Sequence, residues 1–135
     1  MSAIIIFSLT NQITAHLQKI ILQDNFFESN GISFQKTDIT LNRLRAFNNS
    51  FTKEAATPFV KLDASSLSAM FVEYLSRGFG ERFLEALNSK LKIDSSSITL
   101  RDNATGIICT RCSLLRLNAV VFDRGNLRKI KELIK

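Results

Sequence analysis

Two cysteines, Cys109 and Cys112, stand three residues apart in the stretch GIICTRCSLL (residues 106–115) and are the only cysteines in the chain. That spacing serves zinc knuckles and dithiol redox motifs. Zinc takes four ligands in a tetrahedron. The chain offers two Cys and one His, and His16 lies about ninety residues upstream. A complete site would need a second pair from another subunit, which metal analysis would read as about half a zinc per chain. A redox pair opens a helix, whose N-terminus lowers the thiol pKa, whereas β-formers flank this one. Side chains alternate faces along a strand, so positions 109 and 112 are expected on opposite faces. The pair reads as two small buried hydrophobes.

Other chemistry-bearing residues are sparse. His16 lies beside an apolar stripe with no Cys, Ser or carboxylate near it in sequence, and reads as a packed or boundary residue. Glu81 and Glu85 are four apart and read as a solvated helix face near its N-terminal end. Gly78-Phe79-Gly80 is too short for a dinucleotide or Walker fingerprint and reads as a helix C-cap and turn. GxSxG, HExxH and carboxylate-rich metal loops are absent from the sequence. The expectation is a protein that is not an enzyme, with no metal ligands and no cofactor.

Charge is more informative. Residues 1–89 carry eight basic and eight acidic side chains, so the net +6 lies wholly in residues 90–135. Ten bases stand there: Lys90, Lys92, Arg101, Arg111, Arg116, Arg124, Arg128, Lys129, Lys131 and Lys135, against Asp94, Asp102, Asp123 and Glu132. Such asymmetry points to a polyanionic partner. The ten bases are the expected nucleic-acid-binding residues, DNA or RNA alike. A second reading is a homo-oligomeric interaction or assembly subunit, with a homodimer as its simplest form. It rests on the apolar load of Ile4, Ile5, Ile6, Phe7, Phe26 and Phe27.

The elements that would position these residues follow from periodicity. Leu9, Ile13, Leu17, Ile20 and Ile21 recur at helical spacing behind Ser8 as N-cap. Residues 32–41 read as extended, and Leu41, Leu44, Phe47 and Phe51 as a short helix. PFVKL (58–62) reads as a strand; Leu67, Met70, Phe71, Tyr74 and Leu75 form a helical face capped by Asp63 or Ser65. A second helix puts Phe83, Leu84, Leu87 and Leu91 inward. SITLR (97–101), a DNATG turn and IICTR read as a hairpin, and LLRLNAVVF (114–122) as a further strand. Asn126 caps a closing helix with Leu127, Ile130, Leu133 and Ile134 inward. No internal repeat is visible.

The expected fold is therefore α+β: a helical N-terminal two-thirds, then a small antiparallel sheet and a basic amphipathic C-terminal helix. The order helix, RGFGER turn, helix, hairpin resembles that of a winged-helix module, which implies a recognition helix at 81–92 with Arg82, Asn88, Lys90 and Lys92, and Arg101 on the wing. Residues 58–135 also resemble a KH domain in element order, which implies a backbone-phosphate contact near 77–82.

With 135 residues, 45% of them hydrophobic, the chain is expected to be one domain, 1–135. Eleven Phe with one Tyr and no Trp point to an apolar core rather than a sugar-binding surface. The opening MSAIIIFSLT lacks a cationic n-region and a cleavage site, and no window reaches the ~20 apolar residues that span a bilayer. A cytoplasmic protein without a membrane span is the expectation.

Overall fold

The computed structural model describes residues 4–5, 8–9, 14–24, 26–27, 31–47, 49–51, 58–75, 82–99, 105–123 and 130–133. All fourteen regular elements among them are strands: β1 (Ile4–Ile5), β2 (Ser8–Leu9), β3 (Thr14–Gln23), β4 (Phe26–Phe27), β5 (Ile32–Gln35), β6 (Asp38–Phe47), β7 (Ser50–Phe51), β8 (Pro58–Asp63), β9 (Ser66–Leu75), β10 (Arg82–Leu87), β11 (Lys90–Thr99), β12 (Thr105–Thr110), β13 (Leu114–Asp123) and β14 (Ile130–Leu133). They form a three-stranded sheet, β1-β4-β7, a six-stranded sheet, β14-β12-β10-β8-β5-β2, and a five-stranded sheet, β13-β11-β9-β6-β3. Each strand pairs in parallel with the equivalent strand of the next turn of chain. The protein is a β-solenoid. Its coils run β2–β4, β5–β7, β8–β9, β10–β11 and β12–β13, and β14 opens a sixth.

This overturns the α+β expectation. Of the residues read as a first helix, Leu9 lies in β2 and Leu17, Ile20 and Ile21 in β3, Ile13 lying outside the described residues, and those read as helices around 41–51 and 67–75 lie in β6, β7 and β9. The second-helix residues Phe83, Leu84, Leu87 and Leu91 divide between β10 and β11, so no recognition helix stands there. Residues 130–133 are strand β14, not part of a basic helix; the rest of the residues read as that helix, and 77–81 of the RGFGER turn, lie outside the described residues, while Arg82 opens β10. Strands do occupy 97–99, 107–110 and 114–122, but the hairpin does not exist. Strand β11 pairs with β9 and β13, and β12 with β10 and β14, all in parallel.

The misreading has a physical source. Each long strand of the five-stranded sheet bends once, at a non-glycine residue held at positive φ: Lys19, Arg43, Phe71, Ser95 and Ala119. The bend inserts one extra outward residue and resets the alternation. In β9 the inward residues are Leu67, Ala69, Val72 and Tyr74, with Met70 and Phe71 both outward. Inward spacings of two, three and two sum to seven, which is also two turns of helix.

The bends recur at intervals of 24, 28, 24 and 24 residues, which is the coil length. The longer interval reflects extra residues between β7 and β8, where Ile32 pairs with Val60 although Phe27 pairs with Phe51. A repeat is therefore present, carried by polarity rather than identity. Leu44, Val72, Ser96 and Val120 occupy one column, Leu41, Ala69, Ile93 and Leu117 another, and Phe34, Leu62, Ala86 and Cys109 a third.

A second set of corners joins the six-stranded to the five-stranded sheet. Lys36, Ala64, Asn88 and Arg111 each adopt positive φ there. Their N–H groups keep the coils in step: Lys36 donates to Asp63 O, Ala64 to Leu87 O and Asn88 to Thr110 O, each at 2.9 Å. Behind each corner a small polar side chain turns inward. Ser65 Oγ donates to Asp63 O and accepts from the Thr37 N–H, and Ser89 Oγ donates to Leu87 O and accepts from the Ser65 N–H. This hydroxyl ladder satisfies buried backbone groups that the sheets cannot reach.

Inside the coils an aromatic stack is closed by glycine. The register places Gly31, Phe59, Phe83 and Gly106 in one column. Phe59 and Phe83 stack at 6.4 Å between centroids, and Tyr74 leans on both at 5.0 and 4.8 Å. A Cβ on Gly31 would lie 2.5 Å from the Phe59 ring and 3.0 Å from its carbonyl oxygen.

Two stability predictions follow from these columns. Gly31→Ala should lower the unfolding free energy by ~1–3 kcal/mol, and by less in a Phe59→Leu background, as urea denaturation of the four variants would show. Ala64→Asn should raise it by roughly 0.5–1 kcal/mol, because Asn enters the left-handed region several-fold more readily than Ala; an unchanged or lowered midpoint would contradict the corner.

Candidate functional site

The solenoid sorts the expected binding residues by face. Lys90 and Lys92 alternate along β11 with buried Leu91 and Ile93, so they stand on the outer surface. Lys92 pairs in register with Arg116 on β13, and Lys90 with Leu114. Arg111 stands exposed at the adjoining corner. Four of the ten bases thus gather on the outside of the fourth and fifth coils. Lys131 lies in β14, and Arg101, Arg124, Arg128, Lys129 and Lys135 lie outside the described residues.

The column holding Lys92 and Arg116 reads His16, Thr40, Ser68, Lys92, Arg116 from the first coil to the fifth. The next column reads Thr14, Asp38, Ser66, Lys90, Leu114. In these two columns cationic charge is confined to the fourth and fifth coils, while Lys19 and Arg43 lie side by side at the bend near the other end of the sheet. Adjacent strands lie ~4.8 Å apart, so Lys92 and Arg116 stack like on like, an arrangement that disfavours folding. Asp94, two residues along from Lys92, is the carboxylate nearest in sequence, facing Asn118 across the register. Among the described residues, none of Lys90, Lys92, Arg111 and Arg116 has a carboxylate within ion-pair distance.

Two bases elsewhere are engaged, whereas Lys19, Lys36, Arg43 and Lys61 are exposed with no carboxylate at ion-pair distance among the described residues. Arg45 Nε lies 3.2 Å from Glu73 Oε2, its register partner one coil on, and its guanidinium sits 5.2 Å over the Phe47 ring. Arg82 pairs with Glu85 at 2.9 Å, which gives Glu85 a partner rather than a place in a carboxylate couple. Both partners of each pair are at least one-third exposed, so each pair adds little stability. The sequence reading missed the Arg45–Glu73 pair because it counted net charge by segment, whereas the coil brings residues 24 to 28 apart side by side.

The cysteines are placed differently from the sequence expectation. Strand β12 ends at Thr110, and Arg111 turns the corner at φ 54°, so the alternation resets between the two thiols. Both point inward. Cys109 is fully buried against Ala86 of the preceding coil. Cys112 is half-buried and continues the hydroxyl ladder of Thr37, Ser65 and Ser89, its thiol reaching Ala86 O at 3.7 Å and Thr110 O at 3.9 Å. Neither cysteine is in a disulfide. Among the described residues no three His, Cys, Asp or Glu side chains come together. His16 is not packed on an apolar stripe; it faces outward and exposed on β3.

Sulfur is a weak acceptor, so the ladder is poorest at its last step. Cys112→Ser should extend it, offering an oxygen to the Ser89 N–H, and should hold or raise stability by about 0.5–1 kcal/mol. Cys112→Val, similar in size but unable to bond, should lower it; equal midpoints for the two variants in urea would remove the ladder from the account.

No protein-family model, curated protein or solved structure matches the chain. Among the described residues no helix is long and apolar enough to cross a membrane.

Proposed function

We propose that the chain is a non-catalytic binding protein that takes the phosphate backbone of a nucleic acid on the outer face of its fourth and fifth coils. One observation carries the reading: Lys92 and Arg116 stack on adjacent strands, flanked by Lys90 and Arg111, with no ion-pair partner among the described residues. A row of phosphates supplies the missing countercharge and turns an unfavourable stack into a favourable one. Lys90, Lys92 and Arg116 project from paired strands and Arg111 from a hydrogen-bonded corner, so their spacing is set by the coil register before a ligand arrives. Contacts of this kind read backbone, not bases, and bind without strong sequence preference.

The test is fluorescence anisotropy with a labelled single strand and a labelled duplex, across a salt series starting well below physiological. Binding should weaken with salt at close to one log unit per log unit for each phosphate contact on duplex. Lys92→Glu with Arg116→Glu should weaken it by tenfold or more at low salt, since two contacts become two repulsions. Arg45→Gln, which removes a base already paired, should leave binding nearly unchanged. Absence of binding at the lowest salt, or equal binding by the Lys92/Arg116 variant, would dismiss the reading.

A further inference from the structure

We propose that the outer strands of the five-stranded sheet, β3 and β13, join copies of this chain head to tail. Among the described residues each has a hydrogen-bonded neighbour on one side only, β6 for β3 and β11 for β13. Their inward side chains are the half-covered ends of core columns. Ala15, Leu17, Ile20 and Leu22 on β3, and Leu115, Leu117 and Val120 on β13, are half-buried, whereas their column mates on β6, β9 and β11 are closed from solvent.

The two edges match each other. Counterparts in the same columns are Ala15 and Leu115, Leu17 and Leu117, Ile20 and Val120. The bends also coincide, at Lys19 with φ 53° and Ala119 with φ 53°. A joint in the parallel register used within the sheet lays these pairs on one another and continues the bend from copy to copy. On the outer surface Val121 and Ile21, 62% and 52% exposed, are the two most exposed large hydrophobics among the described residues, and the same joint stacks them.

A second copy suits this edge better than an unrelated strand. The incoming strand must carry a left-handed residue at one position and apolar residues spaced two, three and two around it, and β3 has both. In the six-stranded sheet β14 already takes the next rung beyond β12, so the incoming copy's two-residue β2 is the element that yields. The contact uses different surfaces on the two partners, so it grows as an open chain rather than closing into a dimer.

Light scattering of the full chain over a concentration series, without nucleic acid, tests this directly. Mass should rise with concentration beyond that of a dimer. Val121→Lys with Ile21→Lys puts like charges on one another at the joint and should weaken association about fivefold. Val121→Lys with Ile21→Glu should restore it, because the charges then attract. Both positions face outward, and circular dichroism of each variant should match the wild-type spectrum. A constant monomer mass for the wild type overturns the proposal. So does failure of Ile21→Glu to rescue Val121→Lys, which would indicate a contact made by β13 with itself.

Discussion

Everything in this molecule follows from one constraint: each strand hydrogen-bonds, in parallel and in register, to the same strand one coil away. A residue's nearest non-local neighbours are thus chosen by coil length, not by its own character. Apolar residues gain from this, since Leu41, Ala69, Ile93 and Leu117 fall in line and close a core without any one of them being large. Polar residues must find partners in their own column or none. Ser65 and Ser89 solve the problem by bonding up and down the ladder, each hydroxyl serving a carbonyl of its own coil and an N–H of the coil before, and the Thr37 hydroxyl joins at Ser65 Oγ.

The same constraint explains why left-handed residues are tolerated. Non-glycine side chains at positive φ cost of order 1–3 kcal/mol each, and ten occur among the described residues, Phe71 among them. A coil must turn several times within about two dozen residues, and a single left-handed residue turns a strand without lengthening it. Once one coil bends there, its neighbour must bend at the same level or lose the hydrogen bonds on both sides. The strain at Phe71 is thus held by Arg43 below it and Ser95 above it, through the pairings of β9 with β6 and β11.

Legibility in the sequence divides along this line. Features that depend on a residue's own chemistry were readable: the strands at 58–62, 97–99 and 114–122. Features that depend on what lies one coil away were not. The bends gave inward spacings that imitate a helix. The column Leu44, Val72, Ser96, Val120 conceals the repeat, because a hydroxyl and three aliphatics share only the property of fitting inward. The cysteines failed for the same reason as the helices: a corner at Arg111 reversed the face expected of Cys112. Of the ten expected binding residues, the fold gathered the four whose side chains it describes, Lys90, Lys92, Arg111 and Arg116.

A solenoid separates what folds the chain from what the chain presents. Inward columns are shared by all coils, so each coil's core residues answer to the coils on either side. Outward columns carry no such debt, and their content can change from coil to coil. The outer column of His16, Thr40, Ser68, Lys92 and Arg116 changes from uncharged to cationic while the adjacent inward column stays aliphatic throughout. Folding alone gives no reason to stack a lysine on an arginine, since an opposite charge at either position would hold the sheet better. Arg45 and Glu73 show that this chain does use such pairs one coil away. The stack of Lys92 on Arg116 is therefore set against the fold's own preference, and on the proposed reading a countercharge from outside the chain would remove the conflict.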